Sequence, residues 1–153
     1  MSSILHTCTT AELRARLTKG EIAGLPKAVS VEDAEAVDAW LYGVLKAACD
    51  RVVAAVNTCE RNARIAFDRC KVPPSCVHTA YVLARHAVIS CIPGMGETLE
   101  GTSRAAEYRT ACEDLAKLAA CELDPGDYGS EGDDPDISRN PGAYVRTVPT
   151  MDF

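Results

Sequence analysis

From Val31 to Cys59 the chain places Ala34, Val37, Leu41, Val44, Leu45, Ala48, Val52, Val56 and Cys59 at intervals of three and four residues. Asp38, Lys46, Asp50 and Arg51 fall off that stripe. A period of this kind sustained over so many residues makes one long amphipathic helix, whose apolar face has to be covered by other elements. Apolar residues make up 47% of the chain, aromatic residues only 5%, and alanine recurs throughout. That balance suits closely packed helices better than aromatic-rich strands. At 153 residues, one domain can bury about two thirds of its unfolded-state surface without a metal or disulfide staple. The expected fold class is therefore all-α: a small helical bundle over residues 1–123, followed by an extended, acidic C-terminal arm over residues 124–153.

The remaining helices are read from caps and breakers. Thr9 with Glu12 has capping-box spacing, and Leu13 and Leu17 share a face, so a first helix runs to about Lys19-Gly20. A short helical turn over Glu21–Gly24 is expected to end at Pro26, and Ser30 with Asp33 then caps the long helix. Residues 60–72 mix basic and acidic side chains without a readable period. Val72-Pro73-Pro74-Ser75 marks a stop and a new start, with Ser75 as the candidate cap of a helix over Cys76–Cys91. Ile92-Pro93-Gly94-Met95-Gly96 closes that helix, and Thr102 or Ser103 opens a last one on which Tyr108, Cys112, Leu115, Leu118 and Ala119 repeat. The core is expected to end near Leu123.

Charge divides the chain in two. Residues 124–153 hold seven acids and two bases, which leaves 15 acids and 14 bases before them. Neither part has the basic patch that tight binding to nucleic acid requires, although contact with passing DNA is compatible with it. The first residues lack a basic region followed by an apolar core, and no apolar run approaches the roughly 18 residues of a membrane span. A cytoplasmic protein is the expectation, and in that compartment Cys8, Cys49, Cys59, Cys70, Cys76, Cys91, Cys112 and Cys121 stay as thiols. The acidic arm closes on Ala143-Tyr-Val-Arg-Thr-Val148, which alternates like a strand. Its apolar tip, Tyr144, Val145, Val148, Met151 and Phe153 together with Arg146, fits either a segment that docks on another subunit or a disordered tail.

No combination of side chains makes a catalytic or cofactor site. Cys70, Cys76 and His78 lie close in sequence but lack the paired Cys-x2–4-Cys spacing of common zinc sites. Most cysteines fall on apolar faces, where a thiol packs as a small hydrophobe. His78 and His86 are about 12 Å apart by helical rise, too far to share a metal, and nothing pairs His6 with a nucleophile. Asp127, Glu131, Asp133, Asp134 and Asp136 lack the ligand rhythm of a calcium loop. Gly94-Met95-Gly96 reads as a turn, since no phosphate-binding pattern follows it.

Several segments, taken in order, carry a resemblance. They are Arg51-Val-Val-Ala-Ala-Val-Asn-Thr-Cys59, Val72-Pro-Pro-Ser-Cys76, Ala80-Tyr-Val-Leu-Ala-Arg85, Ile92-Pro93, Glu107-Tyr-Arg-Thr-Ala111 and Leu115-Ala-Lys-Leu-Ala-Ala-Cys121, preceded by Thr9-Thr-Ala-Glu-Leu13 and Leu17 through Glu21-Ile22. This arrangement resembles the Mu-like phage and prophage relatives of the head-to-tail connector (adaptor) proteins of tailed bacteriophages. The resemblance implies a structural virion protein, not an enzyme. Its copies, commonly about twelve, would form a ring through heterologous contacts under the portal protein, with DNA passing through it and tail or neck proteins beyond. Assembly would take place in the host cytoplasm. The acidic arm is longer than the resemblance requires. Two other readings remain open at this point: a cysteine-based metal-binding or redox module, and an acidic regulatory interaction protein that occupies a basic partner.

Overall fold

The computed structural model describes residues 4–29, 33–67, 69–95 and 103–128. Within them the chain runs β1 (His6–Thr7), α1 (Thr10–Ala15), α2 (Lys19–Val29), α3 (Ala34–Thr58), β2 (Lys71–Val72), a 3-10 turn (Pro74–Cys76), α4 (Val77–Cys91) and α5 (Ser103–Ala119). The fold is a mostly helical bundle in which α3, α4 and α5 pack on one another, with α1 and α2 laid across α3 and α4. β1 and β2 form one antiparallel pair, His6 opposite Val72 and Thr7 opposite Lys71. Among the described residues no helix is long and apolar enough to cross a membrane. Ser30, Val31, Gly96, Thr102, the acids from Glu131 onward and all six tip residues of the arm lie outside the described residues.

The long stripe becomes α3. Val37, Leu41, Leu45, Ala48, Val52 and Val56 are buried along it, joined by Cys49, Val53 and Ala55 because the helix is covered on two sides. Asp33 caps it, its carboxylate accepting the Glu35 amide at 3.1 Å.

α2 corrects the expectation of a short turn ended by Pro26, since the helix continues through that proline to Val29. A proline inside a helix forfeits a hydrogen bond and costs about 3 kcal/mol, so other contacts must hold the helix in register. Leu25 is fully buried, and Thr18 and Glu21 form a reciprocal capping box: the Thr18 amide donates to the Glu21 carboxylate at 2.8 Å and the Glu21 amide to Oγ1 of Thr18 at 3.2 Å. The first helix is correspondingly shorter than expected, ending at Ala15. Arg104 on α5 then pairs with the other oxygen of buried Glu21, tying α2 to the bundle.

Gly24 lets α2 approach the end of α4, where a Cβ would lie only 2.6 Å from Cγ2 of buried Ile92. Gly24→Ala is expected to destabilise the protein by about 1 kcal/mol, because overpacking of roughly 1–3 kcal/mol outweighs the gain in helix propensity of roughly 1 kcal/mol. Urea unfolding of the variant checks the sign, since an open site would be stabilised by the same change.

Three further expectations are revised. Ser75 does not cap α4, as its hydroxyl donates to the Pro125 carbonyl. α5 stops at Ala119, short of Leu123, through a Schellman turn. In it the Glu122 amide reaches the Lys117 carbonyl at 2.8 Å, the Cys121 amide reaches Leu118 at 3.2 Å, and Cys121 takes the left-handed conformation at φ 64°. Packing nevertheless continues beyond Leu123. The Asp124 side chain accepts the Gly126 amide at 2.9 Å, Gly126 sits at φ 85°, and Tyr128 enters the core with its hydroxyl donating to the Ala63 carbonyl.

Candidate functional site

A linked set of titratable side chains lies where β1 and α1 dock on α3 and α4. Thr9 caps α1 through Oγ1, which accepts the Glu12 amide at 3.2 Å. The reciprocal bond of a capping box is replaced: the Thr9 amide donates to the Tyr81 hydroxyl at 3.0 Å, and that hydroxyl donates to the Glu12 carboxylate. His6 Nε2 meets the same carboxylate oxygen at 3.1 Å, and the Arg16 guanidinium covers the Tyr81 ring, 4.4 Å from its centroid. Tyr81 is thus the post of this knot, buried in α4 and bonded to the turn that starts α1.

Cys8, Cys49 and Cys70 are buried in the same core cluster, and the Cys49 thiol donates to the Cys70 carbonyl at 3.7 Å. The Cys8 amide reaches the same carbonyl at 3.0 Å. The bond from Cys49 holds the Cys8 thiol below its ordinary range, while the bond to Cys8 and burial push Cys49 up, and burial pushes Cys70 up. Cys49 and Cys70 are consequently neutral thiols at physiological pH, packed as small hydrophobes.

On the other side of α4 a groove of about 230 Å³ opens against α5, lined by His78, Val82, Glu107, Thr110 and Asp114. Arg85 holds Glu107 at 2.6 Å, and His78 Nε2 lies 3.9 Å from its second oxygen. One turn along, His86 stacks on Tyr108 with ring centroids 3.6 Å apart.

The sequence neighbours Cys70, Cys76 and His78 are therefore parted: Cys70 joins Cys49, Cys76 lies beside the Ser75 hydroxyl at 3.8 Å, and His78 faces the groove. His78 and His86 likewise have separate partners, Glu107 and Tyr108. Among the described residues no group of three or more His, Cys, Asp or Glu side chains is placed to hold a metal ion. Gly94, at φ 82°, makes the turn expected of it. Exposed large apolar side chains occur on different elements among the described residues: Ile4 before β1, Ile22 on α2, Tyr42 on α3, Phe67 between α3 and β2, and Leu123 beyond α5.

The expectation that all eight cysteines stay reduced fails at one pair. Cys59 and Cys121 are joined in a disulfide, 62 residues apart in sequence with Cα atoms 5.3 Å apart. The end of α3 and the Schellman turn of α5 bring them together, a coincidence of tertiary structure that no local spacing announces.

Two acid transitions follow from the histidine and the carboxylate. Burial lowers the His86 pKa, so the unfolded chain binds that proton first, and stability falls as pH drops through the ordinary value of 6.5. The bonds from Tyr81 and His6 lower the Glu12 pKa, so its contribution is complete above the ordinary value of 4.5 and is lost as pH falls further, through the depressed value. Thermal melts across this range should show a decline in two steps, with His86→Phe removing the upper step and Glu12→Gln flattening the lower one.

No family model, curated protein or solved structure matches this chain.

Proposed function

We propose that this chain is a structural virion protein of a tailed phage, a head-to-tail connector whose copies form a ring of about a dozen beneath the portal. DNA passes through the ring, and tail or neck proteins bind beyond it. The protein carries out no catalysis and is assembled in the host cytoplasm. The observation that carries this reading is the order in which the resembling segments fall on the bundle. Arg51–Cys59 ends α3, Val72–Cys76 leads into α4, Ile92 closes it, and the segment through Cys121 completes α5.

Two physical features support it. A ring of identical protomers needs two different complementary faces, and apolar side chains available for such contacts are exposed at Ile22, Phe67 and Leu123, on different elements of the chain. The chain up to residue 123 has 15 acids and 14 bases, so it releases few counterions on DNA and does not grip a duplex in transit.

In this reading the residues after Tyr128 fasten the ring to the portal, with Tyr144, Val145, Arg146, Val148, Met151 and Phe153 as the contacts and repetition around the ring adding avidity. Sedimentation of the protein with its cognate portal tests this fastening. The full chain is expected to travel with the portal, and a chain ending at Tyr128, which keeps the packed body, to stay behind. Equal binding by both chains removes the arm from the interface. Stoichiometric zinc or iron in the purified protein would turn the assignment to a metal module. Salt-sensitive binding to a basic protein in place of the portal would turn it to an acidic regulator.

A further inference from the structure

We propose that Cys59 and Cys121 form a redox-controlled clasp that holds two non-helical segments, the loop after α3 and the stretch from Cys121 to Tyr128, against each other. The inference is independent of the connector reading. It starts from where the bond sits. Cys59 is the C-cap of α3 and is 3% exposed, while Cys121 is half-buried at the turn that ends α5. From each cysteine the chain leaves its helix, and the two departing segments are bonded to each other. The Arg61 guanidinium donates to the Cys121 carbonyl at 2.7 Å, and the Tyr128 hydroxyl donates to the Ala63 carbonyl. Ser75 adds one bond to Pro125.

The loop is otherwise held from its own side by side chains. Asn57 pairs with both backbone groups of Ile65, at 2.8 and 2.9 Å, and Asn62 bonds the Val56 carbonyl at 3.0 Å. The disulfide is thus the covalent member of a seam otherwise made of a few polar contacts and two buried side chains, Ile65 of the loop and Tyr128. α3, α4 and α5 also pack on one another directly. Breaking the bond is expected to free the seam before the helices, since local opening takes the least stabilised contacts first.

Closure needs an oxidant, and a small-molecule disulfide such as oxidised glutathione supplies it. The Cys121 thiolate, on the more exposed residue, attacks that disulfide, forming a mixed disulfide and releasing one glutathione thiolate. The Cys59 thiolate then attacks the Cys121 sulfur and displaces the second. The two protons lost by the cysteines end on the two departing thiols, so one protein dithiol is oxidised for one disulfide reduced. Excess reduced glutathione reverses both steps.

Limited trypsin digestion of the full chain, equilibrated with oxidised or with reduced glutathione, tests the clasp, with peptide mapping of the bond in each sample. The expected result is a Cys59–Cys121 cross-linked peptide in the oxidised sample only. Cleavage after Arg61 or Arg64 should be roughly tenfold or more faster in the reduced sample and should precede cuts within α3, α4 and α5. Cys59→Ser and Cys121→Gly are each expected to cleave like the reduced protein in both buffers. The glycine variant keeps the left-handed helix stop, which guards against a folding defect. Equal rates and order of cleavage in the two redox states would overturn the proposal. So would first cuts within the helices on reduction, or free Cys59 and Cys121 after treatment with oxidised glutathione.

Discussion

Reduction of the Cys59–Cys121 bond is expected to lower the free energy of unfolding by about 4 kcal/mol. The estimate is the chain entropy that a cross-link across 62 residues removes from the unfolded state. Urea unfolding with and without reductant measures it as a shift in midpoint. A shift of less than about 1 kcal/mol would mean that the unfolded chain is already compact around these residues. The size of the effect matters for the whole fold. A domain of this length is stabilised by roughly 5–15 kcal/mol, so the reduced protein retains a folded population while giving up a large share of its margin.

An effect of similar size is expected at the centre of α3. Leu41 is fully buried on the stripe shared with Val37 and Leu45, at the heart of the bundle. Leu41→Ala removes apolar contacts and leaves a cavity that helices packed on two sides of α3 cannot readily close. The expected cost is about 3–4 kcal/mol, read as a lower urea midpoint at unchanged slope. Ala39→Leu, at an exposed position of the same helix, should change stability by less than about 0.5 kcal/mol. Comparable losses at the two positions would contradict the burial pattern along α3.

The contrast between α3 and α2 shows which parts of this fold are legible in the sequence. α3 is set by a local rhythm: Val37, Leu41, Leu45, Ala48, Val52 and Val56 follow one another at three- and four-residue spacing, while the cap falls on Asp33, the partner expected for a cap at Ser30. The same holds for α4 and α5, whose apolar faces and flanking breakers place them to within a few residues. α2 depends instead on contacts that local rules do not contain. Leu25 is buried under other elements, Gly24 admits Ile92, and Arg104 arrives from a distant helix. Those contacts override Pro26. One signal was readable, the Thr18-x-x-Glu21 spacing, which follows the same rule that picks out Thr9 and Glu12.

The stretch from residue 60 to 72 is unreadable for another reason. Its shape comes from side chains bonding backbone, as with Asn57 and Asn62, and from the left-handed residues Arg69 and Cys70, at φ 53° and 57°. Glycine or asparagine would advertise such positions, whereas arginine and cysteine do not. The disulfide was hidden by a compartment argument that holds for typical cytoplasmic chains but does not test individual pairs.

Of the candidate site, the histidine and cysteine residues were identifiable as types, yet their partners were not. Glu12, Tyr81 and His6 come from α1, α4 and β1, and the thiols of Cys8, Cys49 and Cys70 converge from equally distant parts of the chain. The arm tip that carries the proposed portal contact lies outside the described residues, so the connector reading stands on the order of helices and on the resemblance.

Electron microscopy of the full-length protein mixed with the portal protein encoded beside it tests that reading most directly. Rings of this chain stacked coaxially on the portal, with an open central channel, are the predicted result. A monomer that leaves the portal bare under the same conditions would contradict the connector assignment.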